Sequence, residues 1–136
     1  MTTRLNPYLS FRGNAREAMT KYHAVFGGDL DLAPFSMFDM PVDEAEKEWV
    51  MHGFLKTAAG HTLMGADVPS SMDLPPNGVV ALTGDEPDVV RGWWDALAEN
   101  GTIEVPLNQA PWGDFFGEVT DEFGIRWMVD FGDPQT

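Results

Sequence analysis

The sequence predicts an α+β fold of two tandem βαβββ modules, each burying its helix on one face of a sheet and leaving the other face open, so that the two sheets form a cup. Three observations lead there. The chain has 136 residues, the size of one ordinary domain or of two small modules sharing a core. Its halves can be laid over each other. A stretch rich in Pro, Ser and Gly, residues 68–76, divides them.

In the first module, Asn6 to Phe11 alternates as a short strand and Gly13-Asn14 turns it, with Asn14 placed to cap a helix. Ala18, Met19, Tyr22, Val25 and Phe26 then recur at helical spacing, and Gly27-Gly28 stops the run. Asp31 to Phe35 reads as an edge strand, followed by an acidic, Pro-containing loop over Asp39 to Glu44 with room for a short helix. Trp49 to Thr57 and His61 to Ala66 are strands joined through Ala58-Ala59-Gly60. In the second module the order repeats. Val79 to Thr83 is a strand, Gly84 to Pro87 starts a helix that runs from Asp88 to Glu99, and Asn100-Gly101 ends it. Ile103 to Leu107, Phe115 to Thr120 and Ile125 to Phe131 complete the strands, with Asp121 to Gly124 as the last turn.

A shift of 71 lays Leu9 on Val80, Phe11 on Leu82, Gly13 on Gly84, Met19 on Val90 and Tyr22 on Trp93. Near the end of each half a shift of 64 lays Thr57 on Asp121, Gly60 on Gly124, Leu63 on Trp127 and Met64 on Met128. Hydrophobic residues make up 43% of the chain, with five Trp and nine Phe, enough to build a core. Twenty-two acidic against eight basic residues give a net charge of −14, a field that repels nucleic acid and anionic membrane surfaces. Neither is expected as a partner. With no cysteine there is no disulfide framework and no thiolate site. Met1 to Phe11 holds no apolar run of signal-peptide or membrane-span length, so a soluble cytoplasmic protein is expected.

Several motifs fall in a telling order: Pro7-Tyr8-Leu9-x-Phe11-x-Gly13, Ala18 to Tyr22, Phe26-Gly27-Gly28, His52 in a strand, Leu63-Met64-x-x-Asp67, Trp112-Gly113, and Asp121-x-Phe123-Gly124-x-x-Trp127. With them the sequence resembles the vicinal oxygen chelate superfamily of glyoxalase I, extradiol dioxygenases and bleomycin-resistance proteins, and more narrowly its PhnB-like branch. The resemblance implies the glyoxalase/bleomycin-resistance fold with cup-shaped mixed sheets, modules at 1–67 and 77–136, and a homodimer. It also implies where metal-using members carry ligands: His, Gln or Glu on the first strand and Glu on the last strand of each half. Here those positions hold Asn6 or Pro7, Met64, Asn77 or Gly78, and Met128. Thioethers and amides are poor ligands for hard or borderline cations, so no metal or other cofactor is expected.

Strand parity sends Leu9, Phe11, Trp127 and Val129 under the helices and leaves Asn6, Tyr8, Ser10, Arg126, Met128 and Asp130 on the open faces. Candidate ligand-binding residues are therefore Tyr8, His52, Met64, Trp112, Glu118, Arg126 and Met128, with Glu118, Arg126 and His52 as polar contacts. His52, among Trp49, Val50, Met51 and Phe54, reads equally as a hydrogen-bonded core histidine. Asp121 reads as a turn residue that bonds the backbone two positions on, and His61 as a solvated hairpin residue. Trp112 to Phe116 forms a pocket rim, an interface anchor or a core entry. Of Trp93 and Trp94 only one can enter the core; the repeat favours Trp93 and leaves Trp94 as a dimer contact. The favoured function is a binding protein for a small organic molecule; a lyase or isomerase using His52 or Glu118 as general base, and a purely structural dimer, are the other classes. The methyltransferase label sometimes given to the PhnB-like branch finds no support, because no strand leads into a glycine-rich turn and helix.

Overall fold

The structure, a computed structural model, describes residues 5–38 and 41–132. Asp39 and Met40 of the expected acidic loop lie outside the described residues, as do residues 1–4 of the N-terminal segment and residues 133–136. The chain divides into two compact units between Asn77 and Gly78.

The first unit runs β1 (Tyr8–Phe11), α1 (Ala15–Phe26), β2 (Asp29–Pro34), β3 (Val50–Lys56) and β4 (Thr62–Asp67), with single 3-10 turns at Phe35–Met37 and Glu44–Glu46 between β2 and β3. Its sheet has the order β1-β4-β3-β2. It is mixed: β1 runs parallel to β4 while the other pairs are antiparallel. Ala15, Ala18, Met19 and Tyr22 form the apolar stripe of α1 and are fully buried, packed over β2, β3 and β4 together with Leu9, Leu55 and Leu63 of the sheet. The chain can leave α1 and enter β2 only through glycine. Gly28 has φ +94°, and a Cβ there would stand 1.9 Å from the Lys56 carbonyl oxygen.

Asn14 occupies the N-cap position of α1 but makes no side-chain cap bond. Asp67 does that work from the end of β4. Its Oδ1 accepts the Gly13 and Ala15 N–H groups at 2.7 and 3.0 Å, and its Oδ2 accepts the Val50 N–H at 2.9 Å. One buried carboxylate thus fixes the turn after β1, the start of α1 and the start of β3. A second buried carboxylate, Glu46, accepts the Ser70 N–H at 3.0 Å, and the Ser70 hydrogen bonds hold it below the ordinary carboxylate range.

The second unit runs β5 (Val79–Gly84), α2 (Pro87–Ala98), β6 (Thr102–Gln109), β7 (Phe115–Thr120) and β8 (Arg126–Phe131), in sheet order β5-β8-β7-β6. Again the first strand is parallel to the last and the others are antiparallel. Pro106 lies in β6, an edge strand where a missing N–H is tolerated. Both units are therefore βαβββ modules, and the α+β class is as expected.

The tryptophan assignment is corrected. Trp94, expected at the surface, is 6% exposed and packs in the core of α2 with Val90 and Leu97. Its ring lies where Gly117 has no side chain: a Cβ there would come within 2.8 Å of the indole. The helices superpose with a shift of 72, Tyr22 on Trp94 and Ala18 on Val90, one residue more than the shift of 71 expected. The turn shift of 64 is kept in detail. Gly60 N–H bonds Thr57 O at 2.9 Å and Gly124 N–H bonds Asp121 O at 3.0 Å, while Thr57 and Asp121 bond His61 and Ile125 at 2.8 Å each. Among the described residues no helix is long and apolar enough to cross a membrane.

Candidate functional site

Each sheet has one face under its helix and one face free of it, and the strand register says which side chains share the free face. In the first unit Tyr8 stands opposite Met64, Met64 opposite Phe54 and Phe54 opposite Asp31, a row across all four strands. Residues directly opposite in a ladder point to the same side, so these share a face. Two positions along β3 from Phe54, His52 is on that face and exposed. It is not a core histidine: a register shift between Ala33 and Pro34 takes up Met51, so Val50 is buried and His52 is not. His61 is exposed beside the hairpin, as expected.

The corresponding row of the second unit is Ala81, Met128, Glu118 and Val105. On one side of it Arg126 pairs with Val79 and Thr120; on the other Asp130 pairs with Thr83 and Phe116. Trp112, 64% exposed, meets the Phe116 ring edge-on at 6.0 Å and 68°. Its loop is tied by the Ala110 N–H to Asp114 O at 2.7 Å and the Gly113 N–H to Ala110 O at 2.9 Å. Trp112 is therefore not a core entry; its exposure agrees with a pocket rim and with an interface anchor alike. Burial, then the hydrogen bond and charge of Asp114, raise the Asp130 carboxyl above its ordinary range.

The seven candidates therefore separate into two groups. Tyr8, His52 and Met64 share the open face of the first sheet, and Trp112, Glu118, Arg126 and Met128 that of the second. The expected polar contacts Glu118 and Arg126 bind each other: Arg126 Nε donates to Glu118 Oε1 at 2.9 Å. Arg126 Nη1 also donates to Glu104 Oε2 at 3.3 Å, and the Thr120 hydroxyl donates to the same oxygen at 3.3 Å. Glu104, two strands from Arg126, was missed by sequence reasoning; its signal was the need of an arginine on a sheet face for carboxylates on the same face. Ser10, expected on the open face, is 7% exposed, because Asn77 bridges its backbone: Asn77 Oδ1 accepts the Ser10 N–H at 2.8 Å and Asn77 Nδ2 donates to Ser10 O at 3.0 Å. Asp121 serves its turn, accepting the Phe123 and Ile125 N–H groups and the Trp127 indole N–H at 2.9, 3.0 and 2.9 Å.

A family model described as the Glyoxalase/Bleomycin resistance protein/Dioxygenase superfamily matches residues 4–129. The chain belongs to this superfamily. Protein YjdN of Escherichia coli K12 is 37% identical over 139 residues, covering 93% of each chain. The crystal structure of PA1353 from Pseudomonas aeruginosa shares 33% identity and a TM-score of 0.85, covering 96% of this chain and 98% of that one. A Bacillus cereus PhnB protein described as a putative 3-demethylubiquinone-9 3-methyltransferase is 23% identical with a TM-score of 0.73, covering 96% and 100%, a likeness of fold.

The positions at which metal-using superfamily members carry ligands do not suit a divalent ion here. Asn6 Nδ2 donates to the Met64 sulfur at 3.7 Å, and Asn6 Oδ1 accepts the Thr62 hydroxyl. In the second unit Met128 faces Ala81 and Glu118; Asn77 falls in the first unit, where its amide is spent on Ser10. Among the described residues no group of three or more His, Asp and Glu is placed to hold a metal. A thioether beside an amide is a soft, weak donor set, and a carboxylate paired with arginine is a poor one.

Proposed function

We propose that the protein binds a small organic molecule on its open sheet faces, without the family-type metal. The observation that carries this reading is the row Tyr8, Met64, Phe54 on one sheet and the group Trp112, Phe116, Met128 on the other: the thioethers of Met64 and Met128 stand at positions where metal-using members carry Glu, with aromatic rings on the same faces. Such surfaces gain by desolvating apolar area and contacting sulfur and ring edges, with few polar groups to orient the ligand. The resemblance to a dimeric superfamily extends the proposal to a homodimer in the cytoplasm, acting on no nucleic acid or membrane. The methyltransferase description belongs to the Bacillus cereus relative and is not taken over.

Native mass spectrometry with elemental analysis tests this on protein purified without chelator or affinity metal. The expected result is a metal-free dimer that carries an organic mass or takes up the uncharged dye Nile red. A stoichiometric divalent metal would overturn the reading.

A second reading, a lyase or isomerase acting through a general base, is favoured by one feature. His52 is exposed on the same face as Tyr8 and Met64, whereas Glu118 is held by Arg126 and is the poorer base. It predicts turnover that is lost in His52→Ala and kept in Glu118→Gln.

A further inference from the structure

Arg126 is the basic side chain that the strand register places on the open face of the second sheet. An arginine on an open sheet face is ordinarily a receptor for carboxylate, sulfonate or phosphate, because its fork presents paired N–H groups. Here that fork is already engaged. Glu118 takes Nε at 2.9 Å and Glu104 takes Nη1 at 3.3 Å. The Thr120 hydroxyl holds Glu104 in place from the neighbouring strand at 3.3 Å. An anion approaching either edge of the guanidinium would meet a nitrogen shared with a glutamate, and would sit near two negative charges and one positive. An uncharged ligand on Met128, two positions along β8 from Arg126 on the same face, meets no such opposition.

We propose that Glu104 and Glu118 set the charge preference of this face: by holding Arg126 they make it accept uncharged organic ligands and turn away carboxylates, sulfonates and phosphates. The proposal rests on the binding reading above and names the ligand class for one of its two faces. It assigns Glu104 and Glu118 as specificity-determining residues and gives Arg126 the role of a masked anion site.

Two dyes separate the possibilities: uncharged Nile red and the anionic 8-anilinonaphthalene-1-sulfonate. Each is titrated into the wild-type chain, the double variant Glu104→Gln/Glu118→Gln, and the triple variant that adds Arg126→Gln. Thermal unfolding confirms that every variant melts cooperatively. The expected result is that all three chains bind Nile red, so that each retains a usable apolar face. The anionic dye should gain about tenfold or more in the double variant, since one uncovered charge at close range is enough for that, and should lose the gain in the triple variant. If the anionic dye binds the wild type as well as the double variant, or if its gain survives Arg126→Gln, the charge-preference proposal is wrong while the binding reading stands. If Nile red binds none of the three chains, the binding reading itself fails.

Discussion

Replacing Asp67 by Asn tests whether this buried carboxylate is a scaffold element, as its bonds say, and not part of a ligand site. The substitution keeps the shape of the side chain. An amide oxygen in the place of Oδ1 still accepts the Gly13 and Ala15 N–H groups, but the amide nitrogen then faces the Val50 N–H across 2.9 Å, donor against donor. One hydrogen bond to a charged group is lost and one buried donor is left unsatisfied, together about 2–4 kcal/mol. The flipped amide is worse, because it keeps Val50 and abandons both Gly13 and Ala15. Asp67→Ala strands all three donors and costs more, about 3–6 kcal/mol, which approaches the whole stability of a marginal domain. Urea unfolding gives the magnitude, and amide hydrogen exchange gives the location. Val50 should lose protection first in Asp67→Asn, with Gly13 and Ala15 keeping theirs, and all three should lose it in Asp67→Ala. A loss of stability below about 1 kcal/mol in Asp67→Asn, or unchanged protection at Val50, would refute the account.

Gly117→Ala should destabilise by about 1–3 kcal/mol through overpacking, since the new methyl meets the Trp94 ring at 2.8 Å and the Leu107 Cα at 3.0 Å; urea unfolding measures it. Trp112→Ala should leave stability within about 0.5 kcal/mol because the ring is 64% exposed, yet weaken dye or ligand binding on the second sheet, read by titration and melting of the same sample. The pH dependence has two signs. Burial and Asp114 raise the Asp130 carboxyl, so folding favours its protonated form; that contribution is present below the ordinary carboxylate range and is lost as pH rises through the raised value. Asp130→Asn should remove this loss from the melting-temperature profile. Glu46 behaves oppositely: Ser70 lowers it, so its contribution is present above the ordinary range and is lost as pH falls through the lowered value, and Glu46→Gln should flatten the acid side of the same profile.

The secondary structure was legible because it is written in local patterns. Helical spacing in α1, alternation in β7 and β8, and the glycine turns at Gly60 and Gly124 each report a backbone requirement that neighbouring residues satisfy. What misled was the exact register of a repeat. The first strands correspond at a shift of 73, Tyr8 and Ala81 each standing opposite the methionine of the last strand, and the helices at 72; a shift of 71 keeps the strand parity but is one residue off on the helix, about 100° of rotation. That single step exchanged Trp93 and Trp94 between core and surface. The role of Asp67 was hidden for a different reason: its three partners lie 17, 52 and 54 residues away, and no pattern within a window announces bonds of that range.

Side chains on the open faces were legible as to face and not as to partner. Parity put Tyr8, Arg126 and Met128 where the structure has them, because parity is a property of one strand. Whether Arg126 receives a ligand or is silenced depends on Glu118 one strand away and Glu104 two strands away, and so on sheet order. The same dependence separates the two modules. Positions 54 and 118 correspond under the shift of 64, yet one is Phe and the other Glu, while 52 and 116 correspond as His and Phe. Polar and aromatic groups have traded places on otherwise matching scaffolds. A repeat whose turns are conserved to the hydrogen bond while its open faces differ at each of these positions argues that the turns serve folding, and that the faces serve two different sets of contacts.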